Sequence, residues 1–304
     1  GEPVEVLIDY TARPNELPEG GSEAIHSDKG LYFINPQGED AGKPRQIWTQ
    51  CEPEAASAWF PTIDATNERT TQEMLITVED EYKTVSNGVL AQSTKNPDGT
   101  RTDYWRMDQP HAPYLFMMAV SKFAVVKDEW RGIEVSYYLE PQYEPYARLI
   151  FGNTPEMLTF FSEKFGVPYP WKKYAQVVVR DFVSGAMENT TATIHMEQLQ
   201  HDARAHLDET FEDYIAHELT HQWFGDYVTC KTWSHLPLNE AFATYGEYLW
   251  KEHKYGKDVA EQHQAGELLT YLLEAAYKRE PLIRHNYLRP DDLFDRHSYQ
   301  KGAC

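Results

Sequence analysis

Two helices joined by a loop are indicated by residues 217–242, HELTHQWFGDYVTCKTWSHLPLNEAF. Apolar residues that recur every four positions mark the first helix: Phe211, Ile215, Leu219 and Trp223. Gly225 follows as a helix stop. A second helix is expected over about residues 238–254, with its apolar stripe at Phe242, Tyr245 and Leu249. The stretch therefore predicts a pair of packed helices, and the polar residues within it decide what the pair does.

Two histidines of this stretch have the spacing of metal ligands. His217 and His221 are one helical turn apart, so both imidazoles lie on one face and can reach one ion. Glu240 opens the second helix after a gap of 240 − 221 − 1 = 18 residues, and an antiparallel return would place it over the first helix. Two histidines, a glutamate and a water form a four-coordinate zinc site. Glu218 lies beside the metal, where a carboxylate can take a proton from the metal-bound water.

Other interpretations of the same residues differ in the third ligand. A metzincin needs glycine and histidine three and six residues after His221, but these positions hold Phe224 and Tyr227. His235 competes with Glu240, although it precedes the second helix and has no place in its register. An amphipathic helix with two exposed histidines is the interpretation without a metal.

The first half of the chain carries strand signals. Apolar residues alternate in 74–78 and 133–137, as on half-buried strands, and the nearly all-apolar run 114–125 suits a strand covered on both faces. Turn signals separate these runs at Asn87-Gly88, Pro97-Asp98-Gly99 and Arg131-Gly132. We predict a partial N-terminal antiparallel β-sheet domain over residues 1–142.

The second half changes period. Residues 175–180 indicate a strand, 190–195 a neighbouring strand, and 258–278 a further helix. Residues 143–304 are therefore expected to form a second domain of mixed helices and strands. The predicted fold class is multidomain, β followed by α+β.

Composition narrows the class of protein. The chain has 304 residues, of which 41% are hydrophobic and 25% are charged, as in soluble globular proteins. A net charge of −20 argues against a nucleic-acid partner. No run approaches the roughly 18 apolar residues of a transmembrane helix. The three cysteines, Cys51, Cys230 and Cys304, are expected to be free thiols.

Three further segments resemble the aminopeptidase N-like zinc aminopeptidases, gluzincins whose zinc motif has the same 18-residue gap. Residues 185–189, Gly-Ala-Met-Glu-Asn, match the exopeptidase signature of that family. Residues 49–52, Thr-Gln-Cys-Glu, resemble the β-domain segment that reaches into the active site, and 298–302, Ser-Tyr-Gln-Lys-Gly, resemble the segment with the catalytic tyrosine. The match runs in order over about residues 40–304. It implies that residues 143–304 form a thermolysin-like catalytic domain.

The resemblance also implies the roles of the metal-site residues. His217, His221 and Glu240 would bind one Zn²⁺ ion, and Glu218 would be the general base that later returns its proton to the leaving amine. Tyr299 would donate a hydrogen bond to the oxyanion, whose charge develops only in the transition state.

The substrate-binding residues implied by the resemblance are Gln50, Glu52, Gly185, Ala186, Met187, Glu188 and Asn189. Glu52 and Glu188 would hold the free α-amino group, because two carboxylates that face one ammonium read both its charge and its position. Gly185 and Ala186 would lie along the peptide backbone, and Gln50 would line the pocket for the first side chain.

The resulting prediction is a zinc aminopeptidase that hydrolyses the N-terminal peptide bond of peptides, with peptides bearing a free N-terminus as partners. A thermolysin-type endopeptidase shares the metal set but has no use for Glu52 and Glu188. An epoxide-hydrolysing enzyme of the leukotriene hydrolase branch would carry glutamine in place of Glu52. A non-catalytic fragment that acts as a binding module is the alternative outside enzymes.

Family members have a fuller N-terminal domain and a helical domain after the catalytic one. We therefore expect this chain to be truncated at both ends, without the C-terminal part of the catalytic domain and the helical domain that follows. No leader follows Gly1, so cytoplasmic and exported locations both fit, and the oligomeric state is not encoded. Residues that orient the two histidines must exist in a catalytic site, and Asp226 and Glu247 are candidates.

Overall fold

The computed structural model describes residues 4–17, 20–22 and 24–304. The strands within these ranges are β1 Gly30–Ile34, β2 Gln46–Gln50, β3 Thr70–Glu79, β4 Lys83–Ser86, β5 Val89–Lys95, β6 Thr100–His111, β7 Met118–Ser121, β8 Ala124–Trp130, β9 Ile133–Leu139, β10 Lys173–Val179, β11 Ala186–Met187 and β12 Ala192–Met196. The α-helices are α1 Ala147–Phe151, α2 Thr154–Lys164, α3 Glu212–His221, α4 Pro237–Tyr255, α5 Lys257–Ala275 and α6 Gln300–Ala303. None of the described helices is both long and apolar enough to cross a bilayer.

Two antiparallel sheets form the first half, with strand orders β1-β2-β7-β4 and β3-β6-β5. The predicted strand at 74–78 lies within β3. The predicted turns contain Gly88, Gly99 and Gly132, all with positive φ, a conformation that glycine adopts at little cost. The prediction of an N-terminal antiparallel β-sheet domain is thus confirmed.

The apolar run 114–125 is not one strand, contrary to the prediction. It contains the end of a 3₁₀ turn, Pro113–Leu115, then β7 and the first residues of β8. β7 pairs with β2 and β4, whereas β8 pairs with β9 in a different sheet. The run is nearly all apolar because the chain stays largely buried while it crosses between the two sheets. An apolar run in the sequence predicts that the chain is buried, but not with which strand it pairs.

A mixed five-stranded sheet, of order β11-β12-β10-β9-β8, forms the centre of the second half. β9, β10 and β12 are parallel, whereas β8 and β11 are antiparallel edge strands. β9 contains the alternating run 133–137 that was assigned to the first half, but its hydrogen bonds join it to β10. Alternation predicts a strand without naming its neighbour, so the domain limits at residues 142 and 143 stay a prediction.

The two halves share one apolar core and several buried hydrogen bonds. Trp48 of the first half packs in one cluster with Val177 and Ile194 of the five-stranded sheet. Asn87 Nδ2 donates to the Thr190 carbonyl at 2.8 Å. This continuous packing holds the end of β2 against the second half, which matters for the site described below.

α3 and α4 pack closely at a point where glycine is required. A Cβ on Gly246 of α4 would come 2.1 Å from Thr220 Oγ1 of α3, far inside van der Waals contact. The predicted apolar stripe of α4 is wrong in part, because Phe242 and Tyr245 are 46% and 40% exposed. α4 instead buries a face with Glu240 and Thr244. Burial of polar side chains does not favour folding, so a helix that buries a polar face indicates a functional site.

Candidate active site

α3 and α4 bring the two histidines and the glutamate of the opening stretch together. His221 and Glu240 are buried, and the His217 side chain is 13% exposed. Glu240 Oε2 lies 3.4 Å from His217 Nε2 and 3.3 Å from His221 Nε2. Glu240 stands in the first turn of α4, so the antiparallel return of the chain places it over α3 as predicted.

These three atoms fit the coordination sphere of zinc. Ligands about 2.05 Å from a tetrahedral Zn²⁺ are separated from one another by about 3.3 Å. The two measured distances to Glu240 Oε2 agree with that separation. Two imidazoles and one carboxylate are also the donor set of catalytic zinc sites with one open position. The residues present therefore fit the group that the sequence predicts.

The outer nitrogens of both imidazoles have acceptors, as zinc-binding histidines require. His217 Nδ1 lies 2.7 Å from Glu247 Oε1, and His221 Nδ1 lies 2.9 Å from the Phe224 carbonyl oxygen. Of the two candidate orienting residues, Glu247 makes such a contact. Asp226 does not: within the described part of the chain, neither of its carboxylate oxygens has a hydrogen-bond partner.

His235, the competing ligand, lies elsewhere. It belongs to a short 3₁₀ turn, Trp233–His235, and its Nδ1 pairs with Thr232 Oγ1 at 3.1 Å. Its ring packs on the ring of His285. Among the described residues, the groups that could hold a metal ion do not include it.

Glu218 is buried beside the three ligand atoms, and its Oε2 has no hydrogen-bond partner among the described residues. Burial raises its pKa to about 8, with Glu188 and Glu240 acting in the same direction against His217 and His221. The same surroundings lower the pKa of Glu240 to about 2, because the two imidazoles outweigh its burial. A cation held by these ligands would favour the charged carboxylate of Glu218 and make it available as a base.

A cavity of about 500 Å³ opens onto this cluster. The predicted site residues that line it are Gln50, Glu52, Gly185, Ala186, Glu188, His217, Glu218, His221, Glu240 and Tyr299. Met187 and Asn189 belong to the same predicted set, but both are buried and neither lines the cavity. Met187 packs in an apolar cluster with Tyr114 and Trp233. Their contact with substrate stays a prediction.

Two more glutamates of the cavity have buried carboxylate oxygens without hydrogen-bond partners among the described residues. Glu52 and Glu188 are buried, and each has a carboxylate oxygen without a hydrogen-bond partner in the described ranges. One oxygen of each and one of Glu240 all lie within 4.8 Å of one another. Burial, followed by repulsion from Glu188 and Glu240, raises the pKa of Glu52. The cavity therefore holds acids that a cationic group would stabilise.

The end of β2 places Glu52 in the cavity. Cys51 Sγ, which is fully buried, donates to the Phe116 carbonyl at 3.4 Å and accepts from Trp59 Nε1 at 3.0 Å. These two bonds fix the chain at Cys51. The residues on either side of it, Gln50 and Glu52, line the cavity. The first half of the molecule thereby contributes to a site centred on the second half.

Gly185, Ala186 and Glu188 form another part of the cavity wall. β11 is an edge strand, paired with β12 on one side only. Gln222 Nε2, just after α3, donates to the Glu188 carbonyl at 2.9 Å and so connects this segment to the helix that contains His217 and His221. A Cβ on Gly185 would come 2.8 Å from the Tyr214 ring, so a larger residue would not fit without a shift of that ring.

Tyr299 lies beside His217, one of the candidate metal ligands. Its ring is nearly parallel to that of His217, with centroids 6.1 Å apart. Burial and the surrounding carboxylates, Glu240 first, raise its pKa well above the usual range, so the hydroxyl keeps its proton. The loop before it is fixed by Asp295, which accepts from Arg284 and Lys278.

Some residues that hold the site were not predicted. Asn239 accepts from the Cys230 amide at 3.1 Å and donates to the Tyr114 hydroxyl at 3.1 Å, which fixes the start of α4 just before Glu240. Gln222 links α3 to the segment that contains Glu188. Both are polar residues next to predicted site residues, and that adjacency was the only signal in the sequence.

Comparison with known proteins is consistent with these features. The Peptidase family M1 domain matches residues 150–304, and the Peptidase M1 N-terminal domain matches residues 22–115. Endoplasmic reticulum aminopeptidase 1 of Mus musculus is 29% identical over 98% of this chain and 32% of its own length. Aminopeptidase M1 of Arabidopsis thaliana is 30% identical over 94% of this chain and 34% of its own length. Glutamyl aminopeptidase of Bos taurus is 31% identical over 84% of this chain and 28% of its own length.

The chain spans about a third of the length of the curated relatives it matches. The two domain matches follow one another in the order of the two halves of the fold, and the mouse and Arabidopsis relatives align with nearly the whole chain. On this evidence the chain belongs to the peptidase M1 family.

Proposed function

We propose that this chain carries the active site of a zinc-dependent aminopeptidase that hydrolyses the first peptide bond of peptides. One observation carries the proposal: the buried oxygens of Glu52 and Glu188 without partners lie beside a His-His-Glu set with zinc geometry. The three relatives above are also named as aminopeptidases.

His217, His221 and Glu240 would hold the metal. When bound, Zn²⁺ would supply Lewis-acid polarisation of the scissile carbonyl and lower the pKa of water. The three ligands come from two packed helices, so their geometry does not depend on a loop. A site on rigid elements holds its ligands more closely than a site on loops.

Glu218 would act as the general base. It takes a proton from the water that attacks the carbonyl carbon, and the C–N bond then breaks as the proton passes to the leaving amine nitrogen. Its position beside the ligands supports this assignment. Tyr299 would donate its hydroxyl proton to a hydrogen bond with the developing oxyanion, and its raised pKa keeps it a donor.

Glu52 and Glu188 would bind the α-ammonium group of the substrate. An ammonium between two carboxylates that otherwise repel each other gains charge-assisted hydrogen bonds and removes that repulsion. A blocked or internal amine gives neither gain and leaves the acids buried without partners, which carries a large penalty. These two residues therefore support an exopeptidase and disfavour the thermolysin-type endopeptidase.

The peptide backbone would run along β11. Among the described strands β11 pairs with β12 alone, so an extended peptide could add at its other edge as a further strand. Half-buried Gly185 and Ala186 leave room for that approach. Gln50, which also lines the cavity, would contact the first side chain of the substrate.

The test is hydrolysis of an aminoacyl p-nitroanilide by the purified, zinc-loaded protein, compared with the N-acetylated form of the same compound. We expect turnover of the free amine, little or none of the acetylated compound, and loss of turnover on zinc chelation. Equal turnover of the two compounds would sink the exopeptidase assignment. Turnover that persists after complete zinc removal would sink the metal assignment.

A further inference from the structure

Glu247 occupies a position between the proposed metal site and α5. It follows Glu240 by two helical turns and so lies on the same face of α4. One of its oxygens, Oε1, lies 2.7 Å from His217 Nδ1, and the other, Oε2, lies 3.0 Å from His263 Nε2. The side chains of Glu247 and His263 are 13% and 15% exposed. A single carboxylate on α4 therefore lies within ion-pair distance of a histidine of α3 and a histidine of α5.

The two metal-ligand histidines are held in different ways. The Phe224 carbonyl that faces His221 Nδ1 belongs to the backbone, so a side-chain substitution leaves that acceptor in place. The acceptor that faces His217 Nδ1 is a side chain. An imidazole that binds a metal through Nε2 must carry its proton on Nδ1, and an acceptor at Nδ1 fixes both the tautomer and the ring plane. His217 thus depends on Glu247 for both.

We propose that Glu247 is a positioning residue that aligns His217 for zinc, and that His263 of α5 holds Glu247 in place. This inference rests on the proposed function, because it assumes that His217 is a zinc ligand. It extends the set of residues that determine zinc affinity to α5, a helix that contributes none of the three ligands. Asp213, the other acid of this cluster, lies 3.5 Å from Lys251.

Zinc affinity tests the proposal directly. We would measure it by competition with a chromogenic chelator for the wild type, Glu247→Ala, Glu247→Gln and Glu261→Ala. The Glu247→Ala variant should bind zinc about 10- to 100-fold more weakly. Glu247→Gln keeps an acceptor for the Nδ1 proton but loses the negative charge, so it should bind zinc more weakly than the wild type by about 2- to 10-fold. Glu261 lies exposed on α5, so its variant is the matched control and should bind zinc like the wild type.

A merely structural role of Glu247 predicts another pattern: a lower melting temperature of the zinc-free variant with unchanged zinc affinity. That pattern would overturn the proposal. If the alanine variant does not fold, the isosteric Glu247→Gln variant decides, since wild-type affinity in that variant counts against Glu247. Failure of the wild-type protein to bind zinc would overturn the proposed function as well, whereas equal affinity of wild type and variants would overturn this inference alone.

His263 is tested by a double-mutant cycle. His263→Ala should weaken zinc binding in the wild-type background by less than Glu247→Ala does, because it acts through Glu247. In the Glu247→Ala background it should have no further effect. An equal loss in both backgrounds would show that His263 acts independently and would remove it from the proposal.

Discussion

Buried acids in two regions of this molecule differ in how their charge is balanced: Asp103 in the first half, and Glu52 and Glu188 in the cavity. Asp103, on β6 of the first half, is 3% exposed and accepts four hydrogen bonds, from Arg101 Nε and Nη2, Ser93 Oγ and Thr84 Oγ1. Glu52 and Glu188 are equally buried, but each keeps an oxygen without a partner in the described ranges.

The pKa of each acid follows this difference. Burial alone would raise the pKa of Asp103, but the bonds from Arg101, Ser93 and Thr84 lower it below its usual value. For Glu52, burial and the neighbouring acids act together and raise the pKa. The acid on β6 stabilises the fold, whereas the acids of the cavity cost stability. Glutamine at these positions would avoid this loss of stability. The presence of glutamate instead indicates that the site binds a positively charged ligand.

The largest effect is expected for Glu218→Gln. The variant keeps the shape of the side chain and the zinc ligands but cannot accept a proton, so kcat should fall by about 10²- to 10⁴-fold. Steady-state kinetics on the p-nitroanilide, with zinc content measured in parallel, check this. Full activity in a zinc-loaded variant would remove Glu218 from the mechanism.

Asp103→Asn breaks the balanced group and should lower the free energy of unfolding at pH 7 by about 3 kcal/mol, because Arg101 loses its charged partner. The sign of the pH dependence follows from the lowered pKa. The stability that Asp103 provides is present above its unfolded pKa of about 3.9 and is lost as pH falls through the folded value. The difference between wild type and variant should therefore shrink in urea titrations below about pH 4. A difference that stays constant down to pH 2 would contradict this account.

Glu188→Gln should lower kcat/KM for the free-amine substrate by about 10- to 100-fold, the value of one charge-assisted hydrogen bond. The variant keeps the size of the side chain and loses half of the proposed ammonium site. Glu209, an exposed acid between the same segment and α3, is the matched control, and Glu209→Gln should leave kcat/KM unchanged. An equal loss in both variants would point to a general electrostatic effect and away from an ammonium site.

The first and last of these variants show how far sequence reasoning goes. His217, Glu218 and His221 can be predicted because helical spacing alone puts them on the same or adjacent faces. The two histidines lie 3.4 and 3.3 Å from Glu240 Oε2, which fits a zinc site. Glu52 and Glu188 are 136 residues apart in the chain. Nothing local places them within 4.8 Å of the same oxygen of Glu240, and the family resemblance alone indicated it.

The tertiary pairing of strands was out of reach for a related reason. β9 has the alternation of a half-buried strand, but its parallel partner β10 lies beyond two helices. The apolar stripe predicted on α4 failed because the helix buries Glu240 and Thr244 towards the cavity. Periodicity assumes that burial follows hydrophobicity, and that assumption breaks where a buried face carries the chemistry.

The smallest effect is expected for Glu52→Gln in the zinc-free protein, and it has the opposite sign to Asp103→Asn. Removal of a repelled, buried charge should raise the free energy of unfolding at pH 7 by about 1 kcal/mol, a typical size for the effect of one substitution. The folded pKa of Glu52 is raised, so wild-type stability falls as pH rises from the unfolded value of about 4.3 towards the folded one. Wild type and variant should therefore be equally stable near pH 4. Destabilisation by Glu52→Gln at pH 7 would break the comparison between the two groups of acids.

Metal analysis of the purified protein tests the central claim most directly. After incubation with excess Zn²⁺ and gel filtration, we predict one zinc ion per chain in the wild type and in Glu218→Gln. We predict little or none in His221→Ala, which loses a ligand. A folded wild-type protein that retains no zinc under these conditions would contradict the account. So would a His221→Ala variant that retains as much zinc as the wild type.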